Sequence, residues 1–347
     1  MNQTLSTQQN QETQPIVSVV IPARNAGDII DNCLKSLREL DYPKDRMEVI
    51  IADGLSTDRT REIAGSYGAK VITNSGLRVV SGRNVGFEAA QGEFIAFSDA
   101  DCVMDRYWLK NSIKYFEDDR VAGIGGPNLV PESESAFGKA IGLLFDYAFS
   151  FGGGAPTRVY DKVIESRAHG SNAIYRANVL RRVMPIDEDM FEGEDVVMNQ
   201  RITRLGHKLL YVPDVIVYHY RRATPRKWWS QMYRYGLGKI LMKRKISGTI
   251  TPTQVALGLT IPILIIVSIA LAILNPWFPL IFILGGVLFV AISSASFAFL
   301  KTKSYQVALN MPLATLILAI AWSCGFLHEL FMPTRQPERK DRKSQND

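Results

Sequence analysis

From Ile246 to Leu300 no residue carries a charge, while the segment just before it, Arg221 to Lys245, holds nine Lys and Arg and no acid. This reversal divides the chain into two parts of different solubility. The apolar part breaks at Asn275-Pro276 into stretches over about 254–274 and 277–300, and a third covers about 305–327. Each is near the ~20 residues that cross a bilayer as a helix. Buried core helices of a soluble protein are the alternative, but so long an uncharged run is hard to solvate any other way. Trp228, Trp229, Tyr233 and Tyr235 are interleaved with the basic residues, the pattern of a helix lying at the cytoplasmic face of a membrane. A nucleic-acid surface has a similar composition, but beside apolar spans no nucleic-acid partner is expected. The positive charge then puts the preceding part in the cytosol and the whole in the plasma membrane as a multi-pass protein. Three crossings would carry Arg335, Arg339, Lys340, Arg342 and Lys343 to the far side, against the same rule. A re-entrant segment broken at Pro312 or at Asn275-Pro276 is the alternative, and the topology is left open here.

The expected organisation is a disordered tail over 1–14, an α/β domain over 15–220, a basic amphipathic interfacial segment over 221–250, a transmembrane region of about three helices over 251–331, and a charged tail over 332–347. With 347 residues there is room for one large domain or two ordinary ones. Cys33, Cys102 and Cys324 form neither a disulfide framework nor a zinc spacing, which suits a reducing compartment. Met1 to Gln14 has no apolar signal-peptide core.

In the soluble part strands alternate with helices. Ile16–Ile21, Glu48–Ala52, Lys70–Thr73 and Phe94–Phe97 are short apolar runs; 28–40, 59–67 and 79–90 have helical spacing. Ser56-Thr57-Asp58 is suited to capping the second helix. Such alternation gives a mostly parallel sheet covered on both faces, with ligands bound beyond the carboxyl ends of its strands. Pro22, Asp53 and Asp99 all stand at such ends. Phe94–Phe97 runs into Asp99-Ala100-Asp101, which sets two carboxylates on one side of the backbone. A plain turn gives the same pattern. Mg²⁺, however, is typically held by one or two carboxylates together with substrate phosphates, so a metal–diphosphate site is the functional reading.

These motifs resemble, in order, those of family 2 glycosyltransferases with the GT-A fold, in the membrane-anchored branch that acts on lipid-linked saccharides. The resemblance spans about Val17 to Lys245. Pro22-Ala23-Arg24-Asn25 is similar to the opening nucleotide loop. Asp53-Gly54-Leu55-Ser56-Thr57-Asp58 is similar to the acidic loop that meets the base, with Gly54 where many members have a second Asp. Ser81-Gly82-Arg83-Asn84-Val85-Gly86 resembles the segment approaching the donor diphosphate, Asp99-Ala100-Asp101 the metal motif, and Gly193-Glu194-Asp195 the catalytic acidic pair.

The resemblance implies a UDP- or GDP-linked sugar donor and Mg²⁺ or Mn²⁺ held at Asp101. Arg83 would help to stabilise the leaving diphosphate, with Asp99 at ribose or a metal-bound water. Asp195, with Glu194 beside it, is expected to act as the base in a single inverting displacement by the hydroxyl of a polyprenyl-linked acceptor, either a lipid-linked saccharide or a polyprenyl phosphate. Acids also favour the positive end of a helix, and both roles are compatible. Ser171-Asn172 resembles the acceptor-side segment, or is a turn before a strand. Arg201 and Arg204, three apart on one helix, suit a phosphate or are simply a solvated face. His219 stands where some relatives have a His near the metal or the diphosphate, or is structural, and His169 has less support. The glycine-rich 152–158 lacks the Lys-Ser/Thr of a P-loop and reads as a flexible loop over the site. The first strand is followed by no Gly-x-Gly-x-x-Gly, which argues against a dinucleotide-binding oxidoreductase. Two rivals stand beside this reading: a processive polysaccharide synthase, whose Gln-x-x-Arg-Trp motif is lacking at Gln200-Arg201-Ile202-Thr203-Arg204, and a non-catalytic membrane scaffold that binds nucleotide sugar.

Overall fold

The structure, a computed structural model, describes residues 14–149, 160–165, 170–188, 193–220, 224–245 and 250–333. The tail over 1–13, the glycine-rich 152–158, His169, Arg221, Arg222 and the basic residues beyond 333 lie outside the described residues.

Four parallel strands form the first half of the main sheet: β1 (Val17–Ala23), β2 (Met47–Asp53), β3 (Lys70–Thr73) and β4 (Phe94–Phe97), in the order β3-β2-β1-β4. β1 is central and buried except at Pro22, which accounts for its unbroken apolar run. Three helices connect these strands: α1 (Ile30–Arg38), α2 (Thr60–Ser66) and α3 (Val79–Ala89). α1 turns Ile30, Cys33, Leu34 and Leu37 to the core, the i, i+3, i+4, i+7 face of a helix. α3 presses on β1 through two glycines one turn apart. A Cβ on Gly82 would lie 2.8 Å from that of Pro22, and one on Gly86 would strike Val20.

After β4 the pattern changes. A small second sheet joins β5 (Cys102–Met104) and β7 (Asn128–Leu129), with α4 (Trp108–Ile113) and β6 (Val121–Gly125) between them in sequence. The main sheet is completed by β6, β8 (Ile164–Glu165), β9 (Ala173–Arg176) and β10 (Lys208–Tyr211). β9 runs antiparallel between β4 and β6, β10 is parallel to β6, and β8 is antiparallel at the edge. The sheet is therefore mostly parallel, with its reversal placed beside β4. β11 (Val217–His219) lies in the small sheet, antiparallel to β5 and parallel to β7. α5 (Ala136–Phe149), α6 (Ala177–Leu180) and α7 (Glu194–Arg204) complete this half.

The remaining helices are α8 (Pro225–Lys245), α9 (Pro252–Gly258), α10 (Thr260–Leu274), α11 (Phe278–Thr302) and α12 (Tyr305–Phe331). α11 and α12 are each long and apolar enough to cross a membrane; α9 and α10, bent by 60° at their junction, make a third candidate if they act as one span. α5, although within the soluble part of the sequence, packs its Phe137, Ile141 and Leu144 into a cluster with Trp228, Met232 and the first half of α12.

Candidate active site

β1 and β2 end level, since Ala23 pairs with Asp53, while β4 ends at Phe97 opposite Val20, three residues before the end of β1. The loops after β1 and β2 are tied together. Asn25 N donates to Ser56 Oγ at 2.9 Å, Thr57 N to Asn25 Oδ1 at 2.9 Å, and Gly27 N to Asp58 Oδ2 at 2.8 Å. Asp58 also accepts from Thr60 N at 3.0 Å at the start of α2, close to the capping that the sequence suggests. Pro22 and Ala23 end the strand, while Arg24 and Asn25 are exposed at the rim.

Asp53 is fully buried beneath this rim. Its Oδ2 accepts from Arg61 Nη1 at 2.8 Å and from Ser56 N at 3.2 Å, and its Oδ1 is buried with no hydrogen-bond partner among the described residues. Burial pushes the carboxyl up, but the Ser56 and Arg61 hydrogen bonds together outweigh it and hold the group below the usual range. An anionic acceptor with one spare oxygen buried beneath the rim is suited to an N–H donor such as a nucleobase offers.

Arg83 links the two sides of the site. The glycine contacts of α3 bring its guanidinium, 5% exposed, beneath the end of β4. There it donates to Asp99 Oδ1 at 3.2 Å and to Glu194 Oε1, and lies over the Phe97 ring at 5.7 Å. A Cβ on Gly170 would strike the same guanidinium, so a side chain there would require Arg83 to shift. Burial opposes the positive charge, but Glu194, Asp99 and Asp195 outweigh it and raise the pKa. For Glu194 burial dominates over the pull of Arg83, and its carboxyl is pushed up. Asp195 is the first-turn neighbour on α7. Its Oδ2 accepts from Gly170 N at 3.3 Å and its Oδ1 from Val196 N at 2.8 Å.

His219 reaches the motif through the small sheet, because β11 pairs His219 with Cys102. Its Nε2 lies 3.1 Å from Asp101 Oδ1. Ligand atoms of Asp101, Cys102 and His219 lie within 4.8 Å of one another. Burial, with Asp101 and Asp99 nearby, pushes the Cys102 thiol well up, which leaves a carboxylate and an imidazole as the effective donors. An oxygen–nitrogen set beside a second carboxylate, Asp99, fits a divalent cation of the Mg²⁺ or Mn²⁺ kind.

The residues read as acceptor-binding are placed differently. Asn172 is fully buried; its Oδ1 accepts from Trp108 Nε1 at 2.8 Å, and its Nδ2 donates to Pro127 O at 3.1 Å and Val215 O at 2.8 Å. It braces the two sheets rather than facing a ligand. Ser171 is 9% exposed, its Oγ accepting from Asn128 Nδ2 at 2.9 Å. Arg201 Nη1 donates to Val183 O at 2.6 Å and Pro185 O at 3.1 Å, clamping the segment that leads towards Glu194. Arg204 is exposed in the last turn of α7, about 13 Å along the helix from Asp195. The helix axis thus carries this pair away from the rim, and their phosphate role is not supported by the geometry. Sequence reading missed Arg61, the partner of Asp53, and Met242 of α8, whose methyl occupies the space a Cβ on Gly193 would need. Arg61 stands in the first turn of the helix that follows the acidic loop, a legible signal; Met242 gives none.

Comparison with known proteins agrees with this geometry. Residues 18–184 match the Glycosyl transferase family 2 description. The dolichyl N-acetyl-alpha-D-glucosaminyl phosphate 3-beta-D-2,3-diacetamido-2,3-dideoxy-beta-D-glucuronosyltransferase of Methanococcus voltae is 28% identical, over 66% of this chain and 74% of that one. Glycosyltransferase AglE of Haloferax volcanii is also 28% identical over the same shares. In three dimensions, mannosyltransferase PcManGT of Pyrobaculum calidifontis, solved with GDP-Man and Mn²⁺, superposes with a TM-score of 0.57 at 20% identity, over 92% of this chain and 88% of that one. That likeness extends to the fold. Residues 18–184 are therefore a glycosyl transferase family 2 domain on a GT-A-like α/β fold, and the chain that carries it is a glycosyltransferase.

Proposed function

We propose that the chain moves a sugar from a UDP- or GDP-linked donor to a lipid-linked acceptor at the cytoplasmic face of a membrane, with inversion at the anomeric carbon. The observation that carries this reading is the double engagement of Arg83 with Asp99 and Glu194. It joins the strand end suited to a diphosphate to the acid pair suited to an acceptor hydroxyl. The Methanococcus voltae relative, named for transfer to a dolichyl N-acetylglucosaminyl phosphate, supports the acceptor class, and the apolar C-terminal helices support its membrane location.

In this reading Asp53 Oδ1 accepts from the base, and the exposed rim at Arg24 and Asn25 borders the nucleotide. Asp101 and His219, with Asp99 alongside, would hold a divalent ion, which as a Lewis acid would offset charge on the departing diphosphate. Arg83 adds a fixed cation beside the same oxygens. Asp195 takes the proton from the acceptor hydroxyl as that oxygen attacks the face opposite the leaving group. Glu194, held by Arg83, fixes the start of α7 so that Asp195 stays in place.

The test is release of nucleoside diphosphate by the purified chain from a panel of UDP- and GDP-sugars. Mn²⁺ or Mg²⁺ and extracted polyprenyl lipids are supplied, beside an Asp101→Ala control. Release with one donor, dependent on lipid and metal and lost in the control, is expected. Nucleotide binding without release under any lipid would reject the lipid acceptor. Asp195→Asn is expected to lower turnover by about 10²–10⁴-fold with donor binding retained; near-normal turnover would remove Asp195 from the mechanism.

A further inference from the structure

α12 has two unlike faces. One is packed along α8. Trp228 Nε1 donates to Ala314 O at 3.1 Å, Gly236 lies against the backbone of Trp322 and Phe326, Gly325 lies against that of Tyr233 and Leu237, and Arg244 Nη1 donates to the fully buried Glu329 at 2.5 Å. The contacts advance in step, 228 with 314 and 244 with 329, so α8 and the second half of α12 run parallel and side by side. At both glycines a Cβ would meet partner backbone, so the helices touch main chain to main chain. The far side of α8 belongs to the core of the transferase domain, where Met242 packs with Val197, Met198 and Ile202 and against Gly193. α8 is thus the layer between the acid-pair turn and α12.

Elsewhere α12 exposes apolar side chains at Leu309, Leu313 and Ile320, and again at Leu330 and Phe331, with Leu309 79% exposed. Their spacing keeps them on one side of a helix. Between these two groups α9 and the start of α10 cover the helix, Ser323 Oγ donating to Gly258 O at 2.8 Å and accepting from Ile261 N at 3.3 Å. Half of the most apolar stretch of α12 is buried, against 6% for α11, while α10 has no buried residue at all. The helices that pass the same length and composition test therefore have different surroundings.

Had α12 stood across the bilayer, residues 314–331 would traverse about 26 Å of it. The parallel α8 would be drawn in alongside, with Arg226, Lys227, Arg234, Lys239, Lys243 and Arg244. Charges at the centre of a membrane helix cost about 2.5–3.5 kcal/mol each on insertion scales. The Gly193 turn, packed on Met242, would follow. We propose that α12 does not cross but lies in the plane of the membrane, its exposed Leu309, Leu313, Ile320, Leu330 and Phe331 seated in the lipid headgroup–acyl boundary. The α10–α11 hairpin, turning at Asn275-Pro276-Trp277, alone enters the bilayer and returns. The lipid surface is the occupant of this face because α10 and α11, whose apolar side chains are largely exposed, pack against the same helix. The arrangement also puts the basic residues Arg335, Arg339, Lys340, Arg342 and Lys343 on the same side as the transferase domain, as the positive-inside rule asks.

The test uses the full chain in lipid vesicles in a Cys324→Ala background, Cys33 and Cys102 being buried. Nitroxides attached in turn at Leu309→Cys, Leu313→Cys, Ile320→Cys and Phe331→Cys report depth from collisions with oxygen and with a water-soluble nickel chelate. An in-plane helix gives one shallow depth at all four, within the ~5–10 Å reached by interfacial helices. A crossing helix spreads the first and last by about 33 Å. Separately, an impermeant maleimide is applied to sealed vesicles of each orientation carrying Glu39→Cys, at the exposed position that follows α1, or Ser344→Cys in the tail. Labelling of both variants in the same orientation is expected. A graded depth across the four positions, or labelling of the two variants in opposite orientations, would overturn the proposal.

Discussion

At the scale of single residues, the chemistry depends on which charges are held and by what. Arg83 is nearly buried, yet its fork reaches both Asp99 and Glu194, a geometry the ammonium of a lysine cannot reproduce. Charge-assisted hydrogen bonds are worth about 1.5–3 kcal/mol each, so Arg83→Lys is expected to cut turnover by roughly 10–100-fold. The fall should be seen in kcat more than in KM for the lipid, measured by nucleoside diphosphate release. Asp53 gives a pH signature. Its folded-state pKa lies below the ordinary 3.8, so the stability it contributes is present above 3.8 and is lost as pH falls through the depressed value. Urea unfolding of the wild type is therefore expected to lose stability below about pH 4 more steeply than that of Asp53→Asn. Equal slopes would show that the carboxylate is not stabilised there. The acids Asp53, Asp99, Asp101 and Asp195 could be read from sequence because each follows a strand or opens a helix, and position along the element fixes where it points. Asn172 and Arg201 could not. Their partners, Trp108, Val215 and Val183, arrive from elsewhere in the chain, and burial of a polar side chain is a property of the assembled fold.

At the scale of elements, α3 sets how far Arg83 can reach. Gly82 and Gly86 let it sit almost on the backbone of β1, and any side chain at position 86 must displace Val20. Gly86→Val is expected to cost about 1–3 kcal/mol of stability through overpacking, checked by thermal unfolding in detergent. The shifted helix should also weaken donor binding, although Gly86 itself packs against Val20. The four strands and three helices up to β4 were legible almost to the residue, since each is a periodic apolar run bounded by turn residues. The second half was much less so. β5, β7, β8 and β11 are two or three residues long, too short for any alternation to register. They exist because a partner strand distant in sequence pairs with them. The antiparallel insertion of β9 beside β4 likewise has no local signal, yet it closes the site by bringing Gly170 and Ser171 to the end of β4.

At the scale of the whole molecule, the boundary between the two solubilities is sharp in sequence and blurred in space. α8 has the composition of a surface-lying helix, but its Trp228 and Met232 are buried in a cluster with α5 and α12, and its Ile240 is buried against Trp322 and Phe326 of α12. Glu329, with no exposed surface, depends there on Arg244. Arg244→Ala is expected to cost about 3 kcal/mol by leaving that carboxylate without its cation. Combining it with Glu329→Gln should recover most of the loss, read as the midpoint of thermal unfolding in detergent. Additive losses would deny the coupling. Gly193, finally, bears on how such an enzyme can be taken apart. Its αL turn, at φ 87°, is roofed by Met242, and α5 leans on the same helices through Phe137, Ile141 and Leu144. A fragment ended after Tyr220 would keep Asp53, Asp99, Asp101, Glu194 and Asp195 and still open a pit beside Glu194, with a bare apolar ridge nearby. The catalytic half is thus not a cassette that can be cut free and re-anchored elsewhere; it inherits part of its interior from the segment that ties it to lipid.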